Sequence, residues 1–241
     1  MLNVISAEWM KLRRNRIFTV CSLLTLFSSG FMVFKDLVIV ERPPETYQMW
    51  LMGIYMVVGM MLSIMSGFII TFLMQQEYED RTINNVLTAP TSRGRFLLGK
   101  VSIWFIWYIL TLVGVVIIYT IGGWLIYPET FGFTGAKTLV LTLLKYCLLS
   151  FVATLPLLTV SVVQRKLFYP TIMVALAFTG IEMFAMNMPF KIARIIPWSA
   201  VVVQSLVELP LKDDLVTLGS IFLTGIVGVI AAYWLFKKQD M

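Results

Sequence analysis

The stretch MWLMGIYMVVGMMLSIMSGFIITFL, residues 49–73, contains 25 consecutive residues without a charged side chain. About 20 apolar residues in a helix cross the hydrocarbon core of a bilayer, so this stretch is long enough to span a membrane. Lipid offers no hydrogen-bond partner to an open backbone, and a single apolar run of this length must therefore bond its own backbone as a helix. The stretch predicts a transmembrane helix.

Apolar runs of similar length lie on both sides of this stretch. Hydrophobic residues make up 59% of the 241-residue chain, against about 45–50% in soluble domains, and the excess lies in these runs. A β-barrel would instead show short segments of alternating polarity. We predict an all-α integral membrane protein whose six transmembrane helices form one domain over residues 17–241. The predicted spans are residues 17–34, 49–73, 101–126, 139–163, 169–188 and 215–236.

Basic residues are distributed unevenly between the two sides that six spans define. The side richer in Lys and Arg is the cytoplasmic side of a membrane protein. We therefore expect both termini in the cytoplasm, and we attribute the formal charge of +6 to topology and expect no nucleic-acid partner. Twelve of the basic residues lie on the side of the termini: Lys11, Arg13, Arg14, Arg16, Arg81, Arg93, Arg95, Lys100, Arg165, Lys166, Lys237 and Lys238.

The chain lacks the residues on which most catalytic and metal sites depend. It contains no histidine, which removes the commonest general base and the commonest metal ligand. Cys21 and Cys147 both lie in apolar runs, where we expect them to act as small buried hydrophobes. The composition therefore predicts a protein without a catalytic residue, a metal ion or a cofactor of its own.

The segment GRFLLGKV, residues 94–101, follows most of the phosphate-binding pattern GxxxxGK[ST]. Val101 has no hydroxyl group for Mg²⁺, and no buried strand precedes the segment, so we do not predict a nucleotide site here. Lys100 is instead predicted to anchor the third span at the membrane interface. The same role is predicted for three aromatic residues that follow, because Trp and Tyr favour the interface: Trp104, Trp107 and Tyr108.

Residues 1–16 have the pattern of a helix that lies in the cytoplasmic interface. Trp9 would lie at headgroup depth, with Lys11 and Arg14 near anionic lipid, and these three residues are the predicted interfacial anchors. A simple basic anchor before the first span is the alternative. The pattern rests on apolar residues at steps of three and four, which share one helical face: Leu2, Ile5, Trp9 and Leu12.

A conspicuously polar loop, QQEYEDRTINNVLTAPTSR at residues 75–93, separates the second and third spans. Asp80 or Thr82 can cap a short helix, and Pro90 ends it. Such a helix, standing off the membrane with one apolar edge, suits docking into a groove on a partner. An ordinary solvated loop is the alternative. The apolar edge consists of residues at i, i+3 and i+4: Ile83, Val86 and Leu87.

Between the fifth and sixth spans, Pro189, Pro197 and Pro210 bound apolar pieces that are too short to cross a membrane. We predict two short helices that dip into the outer leaflet over about residues 189–210 and shield the outer end of the bundle. A surface loop with an amphipathic turn is the alternative.

Glu182 and Lys145 are ionisable residues inside predicted spans. Such groups are costly in lipid and usually face a partner or a cavity, so Glu182 is predicted to line a path or to pair with Lys145. Extension of the Lys145 side chain to the interface is the alternative for Lys145, and outward exposure is the alternative for Glu182. The candidates for a translocation path or gate are Glu182, Lys145, Asn187, Trp198 and Gln204.

Two motifs add a family resemblance to these patterns. The first is AEWMKLRR at residues 7–14, and the second is Glu77-x-x-x-Arg81-Thr82-Ile83, followed by Leu87, Pro90, Arg93 and Gly99-Lys100. In these motifs, in length and in number of spans, the chain resembles the permease subunits of bacterial ABC-2 type transporters. The motifs resemble the elbow helix and the coupling helix of that family. The size is similar to the small permeases of its bacitracin-resistance, lantibiotic-immunity and sodium-export branches.

The resemblance implies a machine in the bacterial plasma membrane with two permease subunits, identical or paralogous, and two separate ABC ATPase subunits beneath them. ATP and Mg²⁺ would bind to the ATPases, whose closure would pull on residues 77–90 and move the second and third spans. The cargo would be exported and amphipathic, such as a peptide antibiotic or a lipid-linked species, which implies antibiotic resistance or immunity. The docking residues would be Glu77, Asp80, Arg81, Thr82, Ile83, Val86, Leu87 and Pro90.

Two other functions remain open from the residues alone. An ion-coupled secondary transporter or channel would work without an ATPase and would depend on Glu182. An intramembrane enzyme would need Ser, His, Asp or metal ligands that converge within the spans, and the absence of histidine makes this the weaker alternative.

Overall fold

The computed structural model describes residues 16–39, 44, 46–79, 93–164, 167–207 and 209–238. Within these residues the protein is helical and contains no β-strand. Six of its helices are long and apolar enough to cross a membrane, and each overlaps one predicted span. The predicted all-α fold with six spans is confirmed. Residues 1–15, with the predicted anchors Trp9, Lys11 and Arg14, lie outside the described residues, so the interfacial helix stays a prediction.

The helices follow one another with short connections in the described part of the chain. The fourth span consists of two helices, α4 and α5, separated by a break. In chain order the elements are α1 (Arg16–Phe34) with a π-helical turn (Lys35–Ile39), α2 (Tyr47–Glu79), α3 (Arg93–Ile126), α4 (Gly132–Thr154), α5 (Leu157–Gln164), α6 (Tyr169–Phe184) with a 3₁₀ turn (Ala185–Asn187), α7 (Phe190–Ala193), α8 (Pro197–Leu206) and α9 (Leu211–Lys238).

The second span is the central helix of the bundle. α2 packs against α1, α3, α4, α5 and α6. In its most apolar window 61% of the residues are buried, as in the α4–α5 span, against 28% in α1, α6 and α9. α2 and the α4–α5 span therefore form the interior, whereas α1, α6 and α9 present most of their surface to the surroundings.

The fourth span bends at Leu155 and Pro156, where the proline lacks the backbone N–H that a continuous helix requires. α9 lies directly against this bend. A Cβ atom added to Gly228 would be 2.8 Å from the Cα atom of Pro156, and the Thr159 hydroxyl donates a hydrogen bond to the Gly228 carbonyl oxygen over 2.7 Å. Small residues allow such close approach of membrane helices, and glycine at 228 is therefore what permits this contact.

The prediction that Trp104, Trp107 and Tyr108 are interfacial anchors is wrong. All three are buried, and the rings of Trp104 and Tyr108 pack against Phe151 with centroid distances of 4.7 and 5.3 Å. The physical reason is helix packing. The face of α3 that carries these rings packs against α1 and α4, and the Trp107 indole N–H donates to the Ser22 hydroxyl of α1 over 2.9 Å.

The two short helices predicted between the last two spans are present as α7 and α8. α8 packs against α4, α6 and α9, and most of its residues are buried. At its start the Trp198 ring stacks on Phe178, halfway along α6, with centroids 3.8 Å apart, and the indole N–H donates to the Ala153 carbonyl oxygen over 2.9 Å. The α7–α8 hairpin thus folds back along the spans, while its dip into the outer leaflet stays a prediction.

The contact between α9 and the bend of the fourth span predicts a sharp contrast between two glycines. Gly228→Ala should lower the free energy of unfolding by about 1–3 kcal/mol, because the new methyl group meets backbone atoms of Pro156 that cannot move aside cheaply. Gly219→Ala, on the same helix with nothing within 4 Å of the added Cβ, should leave stability unchanged or slightly higher. Thermal unfolding of the two purified variants in detergent measures the difference. Equal melting temperatures would show that the contact is loose.

Candidate functional site

The polar ends of α2 and α3 adjoin the loop at residues 80–92. α2 and α3 contain 33 and 34 residues, which corresponds to about 50 Å each, against about 30 Å for the hydrocarbon core. The polar residues of α2 cluster after Met74, and Arg95 and Lys100 lie in the first two turns of α3. Residues 80–92 therefore connect the polar ends of the two helices.

Glu77 and Lys100 form a buried ion pair between these two helix ends. The Lys100 ammonium group lies 2.6 Å from the Glu77 carboxylate, and each residue is only 1% exposed. The ammonium group also lies 5.1 Å from the centre of the Phe96 ring. The prediction that Lys100 anchors the span at the interface is therefore wrong. Because α3 already begins at Arg93, Lys100 lies two turns inside the helix and faces α2.

The same geometry excludes a phosphate-binding loop at residues 94–101. These residues are part of the continuous helix α3, whose backbone N–H groups bond within the helix from its second turn on. Lys100, which would have to reach the phosphates, is held by Glu77. The segment is a helix end that carries an interhelical ion pair.

Of the eight predicted docking residues, Glu77 is the one that the structure describes. Its carboxylate is turned inward to Lys100, so it joins α2 to α3. The other seven lie outside the described residues, and their contact with a partner stays a prediction: Asp80, Arg81, Thr82, Ile83, Val86, Leu87 and Pro90.

Glu182 lies in the middle of the bundle and is 4% exposed. One carboxylate oxygen accepts hydrogen bonds from the Tyr146 hydroxyl over 3.1 Å and from the Ser150 hydroxyl over 3.3 Å. The other accepts a hydrogen bond from the Ser63 hydroxyl over 3.3 Å. These four residues, the Glu182 cluster, join α2, α4 and α6 through a single side chain. A buried carboxyl group is tolerated in such a place because its oxygens are hydrogen-bonded.

A close helix contact places the Tyr146 hydroxyl in this cluster. A Cβ atom added to Gly59 of α2 would lie 2.3 Å from the Tyr146 hydroxyl oxygen and 2.4 Å from the edge of its ring. Glycine at position 59 therefore gives the phenol the space through which it reaches Glu182.

The structure does not bring Lys145 and Glu182 together. Lys145 is exposed on α4, while its neighbour Tyr146 faces the bundle interior and bonds to Glu182. Successive residues point about 100° apart on a helix, so Lys145 faces away from the cluster. Asn187, another candidate for the path, is exposed at the end of the 3₁₀ turn.

Trp198 and Gln204 hold the two ends of α8. Trp198 binds α4 and α6 as described above. The Gln204 amide group donates to Asp214, and its carbonyl oxygen accepts from the Thr217 hydroxyl. An Arg194–Asp213 ion pair ties the turn between α7 and α8 to the same helix end. Sequence reasoning missed this role of Asp213 and Asp214, although two acidic residues in the first turn of a helix after a proline are a recognisable signal.

The first four spans meet in an aromatic cluster at the end of the bundle opposite the polar ends of α2 and α3, and the sequence did not predict this cluster. The buried Asp36 carboxylate accepts a hydrogen bond from the Trp50 indole over 2.9 Å, and Trp50 packs against Tyr119 and Phe131. Tyr127 donates to the Pro44 carbonyl oxygen over 2.8 Å, and burial, followed by the nearby Asp36 charge, raises the pKa of its phenol. No local pattern announces this cluster, because its members lie on different helices.

In the part of the chain that the structure describes, no group of three or more Cys, Asp and Glu side chains is placed to hold a metal ion. The polar contacts described above join helices at the loop end, in the middle and at the opposite end of the bundle.

Comparison with protein families shows what the chain is similar to. Residues 4–182 match the model of the family described as ABC-2 family transporter protein. The matched region contains the first four spans, the loop at residues 80–92 and the fifth span up to Glu182. No curated protein matches the chain.

The Glu182 cluster predicts a difference between two substitutions of the same residue. Glu182→Ala should lower the free energy of unfolding by about 2–5 kcal/mol, because it leaves a cavity and removes the acceptor for three hydroxyl groups. Glu182→Gln keeps the volume and an acceptor oxygen and should lose much less. Lys145→Ala, at an exposed position next to Tyr146, is the control without effect. Thermal unfolding in detergent ranks the three, and a Gln variant as unstable as the Ala variant would contradict the hydrogen-bonded arrangement.

The Glu77–Lys100 pair predicts strong coupling between two positions. Lys100→Met alone should cost about 3–5 kcal/mol, because it removes the buried ammonium group that lies 2.6 Å from the Glu77 carboxylate. The double variant Glu77→Leu with Lys100→Met removes both charges and should be more stable than Lys100→Met alone. A double-mutant cycle on unfolding free energies measures the coupling, and additive losses would mean that the two groups do not interact.

Proposed function

Since this chain belongs to the ABC-2 transporter family, as the match over residues 4–182 shows, we propose that it is the membrane-spanning permease subunit of an exporter driven by two separate ATPase subunits. Two permease subunits, identical or paralogous, form the translocation path in this proposal. ATP and Mg²⁺ bind to the ATPases. The observation that carries the proposal is the family match, which includes both the spans and the polar loop between the second and third of them.

The loop at residues 80–92 is the proposed docking segment. It joins the polar ends of the two longest helices, on the side where we place the cytoplasm because it is richer in Lys and Arg. Ile83, Val86 and Leu87 supply the apolar edge that a groove on the ATPase would bind.

The Glu77–Lys100 pair supports a role for this segment in force transmission. The pair joins the C-terminal end of α2 to the N-terminal end of α3 in a buried contact. A pull on the loop therefore moves both helices together and does not separate them. Glu77 thus contributes to coupling from inside the bundle, while residues 80–90 make the contact with the ATPase.

The Glu182 cluster connects α2 to α4 and α6 inside the bundle. A displacement of α2 moves Ser63 relative to Glu182 of α6 and Ser150 of α4. α8 packs against the same two helices, so the hairpin responds to their position. We propose that the α7–α8 hairpin, with Trp198 and Gln204, is the outer gate of the path and that Glu182 sets its position.

The proposed cargo is amphipathic and is exported or extracted from the membrane, as a peptide antibiotic or a lipid-linked species would be. The apolar faces of α1, α6 and α9, which are exposed over much of their length, support a path that an apolar molecule enters from lipid. In this proposal the protein lies in the bacterial plasma membrane with both termini in the cytoplasm, and it confers resistance or immunity. The family match does not distinguish among the branches of the family.

The docking segment is tested by copurification. The chain is expressed with the ATPase encoded beside it and purified through a tag on the permease alone. We expect the ATPase to copurify, and we expect Ile83→Asp with Val86→Asp to release it, because two charges on the apolar edge cannot enter a groove without loss of their hydration. Asn84→Asp with Asn85→Asp adds the same charge outside that edge and is the matched control.

Two outcomes would contradict the proposal. If no ATPase copurifies, or if the control pair releases it as readily as the test pair, residues 80–90 are not a specific docking segment. Transport that continues without any ATPase and stops on Glu182→Gln would instead favour an ion-coupled transporter built around the Glu182 cluster.

A further inference from the structure

A groove of about 270 Å³ opens on the surface of the bundle between the loop end of α3 and the C-terminal part of α9, with α5 at its base. Its walls are apolar. It lies outside the Glu182 cluster and the docking segment. The lining includes Leu97, Leu98 and Val101 of α3, Leu158 of α5, and Val229 and Ile230 of α9.

The groove is formed by the packing of the two helices and does not depend on a ligand. The rings of Phe96 and Phe236 stack with centroids 5.5 Å apart, and both are buried, which fixes α3 against α9. Gly94 at the end of the groove faces the Tyr233 ring, which an added Cβ atom would meet at an ordinary contact distance of 3.4 Å.

Exposed cationic residues adjoin the residues at one end of the groove in the sequence. Arg95 follows Gly94 and lies one turn from Leu98, and Lys237 lies one turn beyond Tyr233 on the same face of α9. Lys238 rests over the Trp234 ring at 3.6 Å from its centre. All three cations are exposed. An apolar groove with a basic rim between membrane helices has the chemistry that binds an anionic lipid headgroup and its chain.

A groove of this volume, about 270 Å³, is large enough for a section of a lipid acyl chain. The residues that line an empty groove lack van der Waals contacts on one side. An acyl chain that fills the groove supplies these contacts, which favours its binding.

We propose that this groove binds one acyl chain of an anionic phospholipid, whose headgroup lies against Arg95, Lys237 and Lys238. The assignment to the inner leaflet rests on the orientation given under the proposed function. The binding itself rests on the groove and its rim. The lipid would bridge α3, which is joined to α2 and the docking segment, and α9, which carries the contacts of the outer hairpin.

Native mass spectrometry of the full chain in detergent micelles tests the site, with phosphatidylglycerol and phosphatidylcholine of identical acyl chains as probes. We expect one phosphatidylglycerol to be retained in preference to phosphatidylcholine. Leu98→Trp or Ile230→Trp should reduce its retention several-fold by filling the groove. Val113→Trp, on the exposed face of α3 away from the groove, should leave retention unchanged.

The rim is tested separately. Arg95→Gln and Lys237→Gln should each weaken binding of phosphatidylglycerol about fivefold and leave that of phosphatidylcholine unchanged. Glycerol phosphate, which has the headgroup charge without acyl chains, should bind no more weakly to Leu98→Trp than to the unaltered protein, since filling the groove removes the chain site alone.

Several results would overturn the proposal. Equal retention of the two lipids, or retention unaffected by both Trp variants, would mean that the groove is not an anionic lipid site. Loss of self-association in the Trp variants, with lipid retention unchanged, would make the groove a contact between copies of the chain. None of these results depends on ATPase copurification, so failure of the lipid site and failure of the proposed function are distinguishable.

Discussion

α2 is tied to its neighbours by a polar contact at each of three levels: the Trp50 indole on Asp36, the Ser63 hydroxyl on Glu182 and the Glu77 carboxylate on Lys100. These residues are 13 and 14 positions apart, which spaces the contacts by about 20 Å along the helix. Helices in lipid gain little hydrophobic energy from one another, because the lipid tails are as apolar as their side chains. Specific contacts of this kind therefore fix the depth and the rotation of α2 within the bundle, and the other spans take their places around it.

Such contacts also limit how the bundle moves. The hydrogen bonds to Glu182 are 3.1–3.3 Å long, so a shift of α2 by one or two ångströms along its axis breaks them unless α4 and α6 follow. A buried carboxyl group without partners is costly in this environment. The bundle is thus expected to favour a small number of discrete arrangements over a continuous deformation, which is the behaviour that a transporter driven from one end requires.

The sequence predicted what depends on the length of apolar runs and on proline. The six spans and the short helices between Pro189 and Pro210 follow from these two features. It did not predict that Lys100 is buried in an ion pair. Hydropathy treats the basic segment before the third span as outside the bundle, whereas the helix already begins at Arg93. Nor did it identify the partners of Glu182, since Ser63 and Tyr146 are 119 and 36 residues away in the chain. Tyr146 and Lys145 are neighbours on α4 and point in different directions, so Tyr146 faces Glu182 and Lys145 does not.

The family match ends at residue 182, so the α7–α8 hairpin and α9 follow the matched region. Several of the contacts described above lie in this part of the chain. α9 binds the hairpin through Asp213, Asp214 and Thr217 at its start, and it forms one wall of the apolar groove near its end. Between these points, Gly228 holds it against the bend of the fourth span. The hairpin and the groove at the loop end are therefore joined by one helix, which packs against the α4–α5 span beside α2.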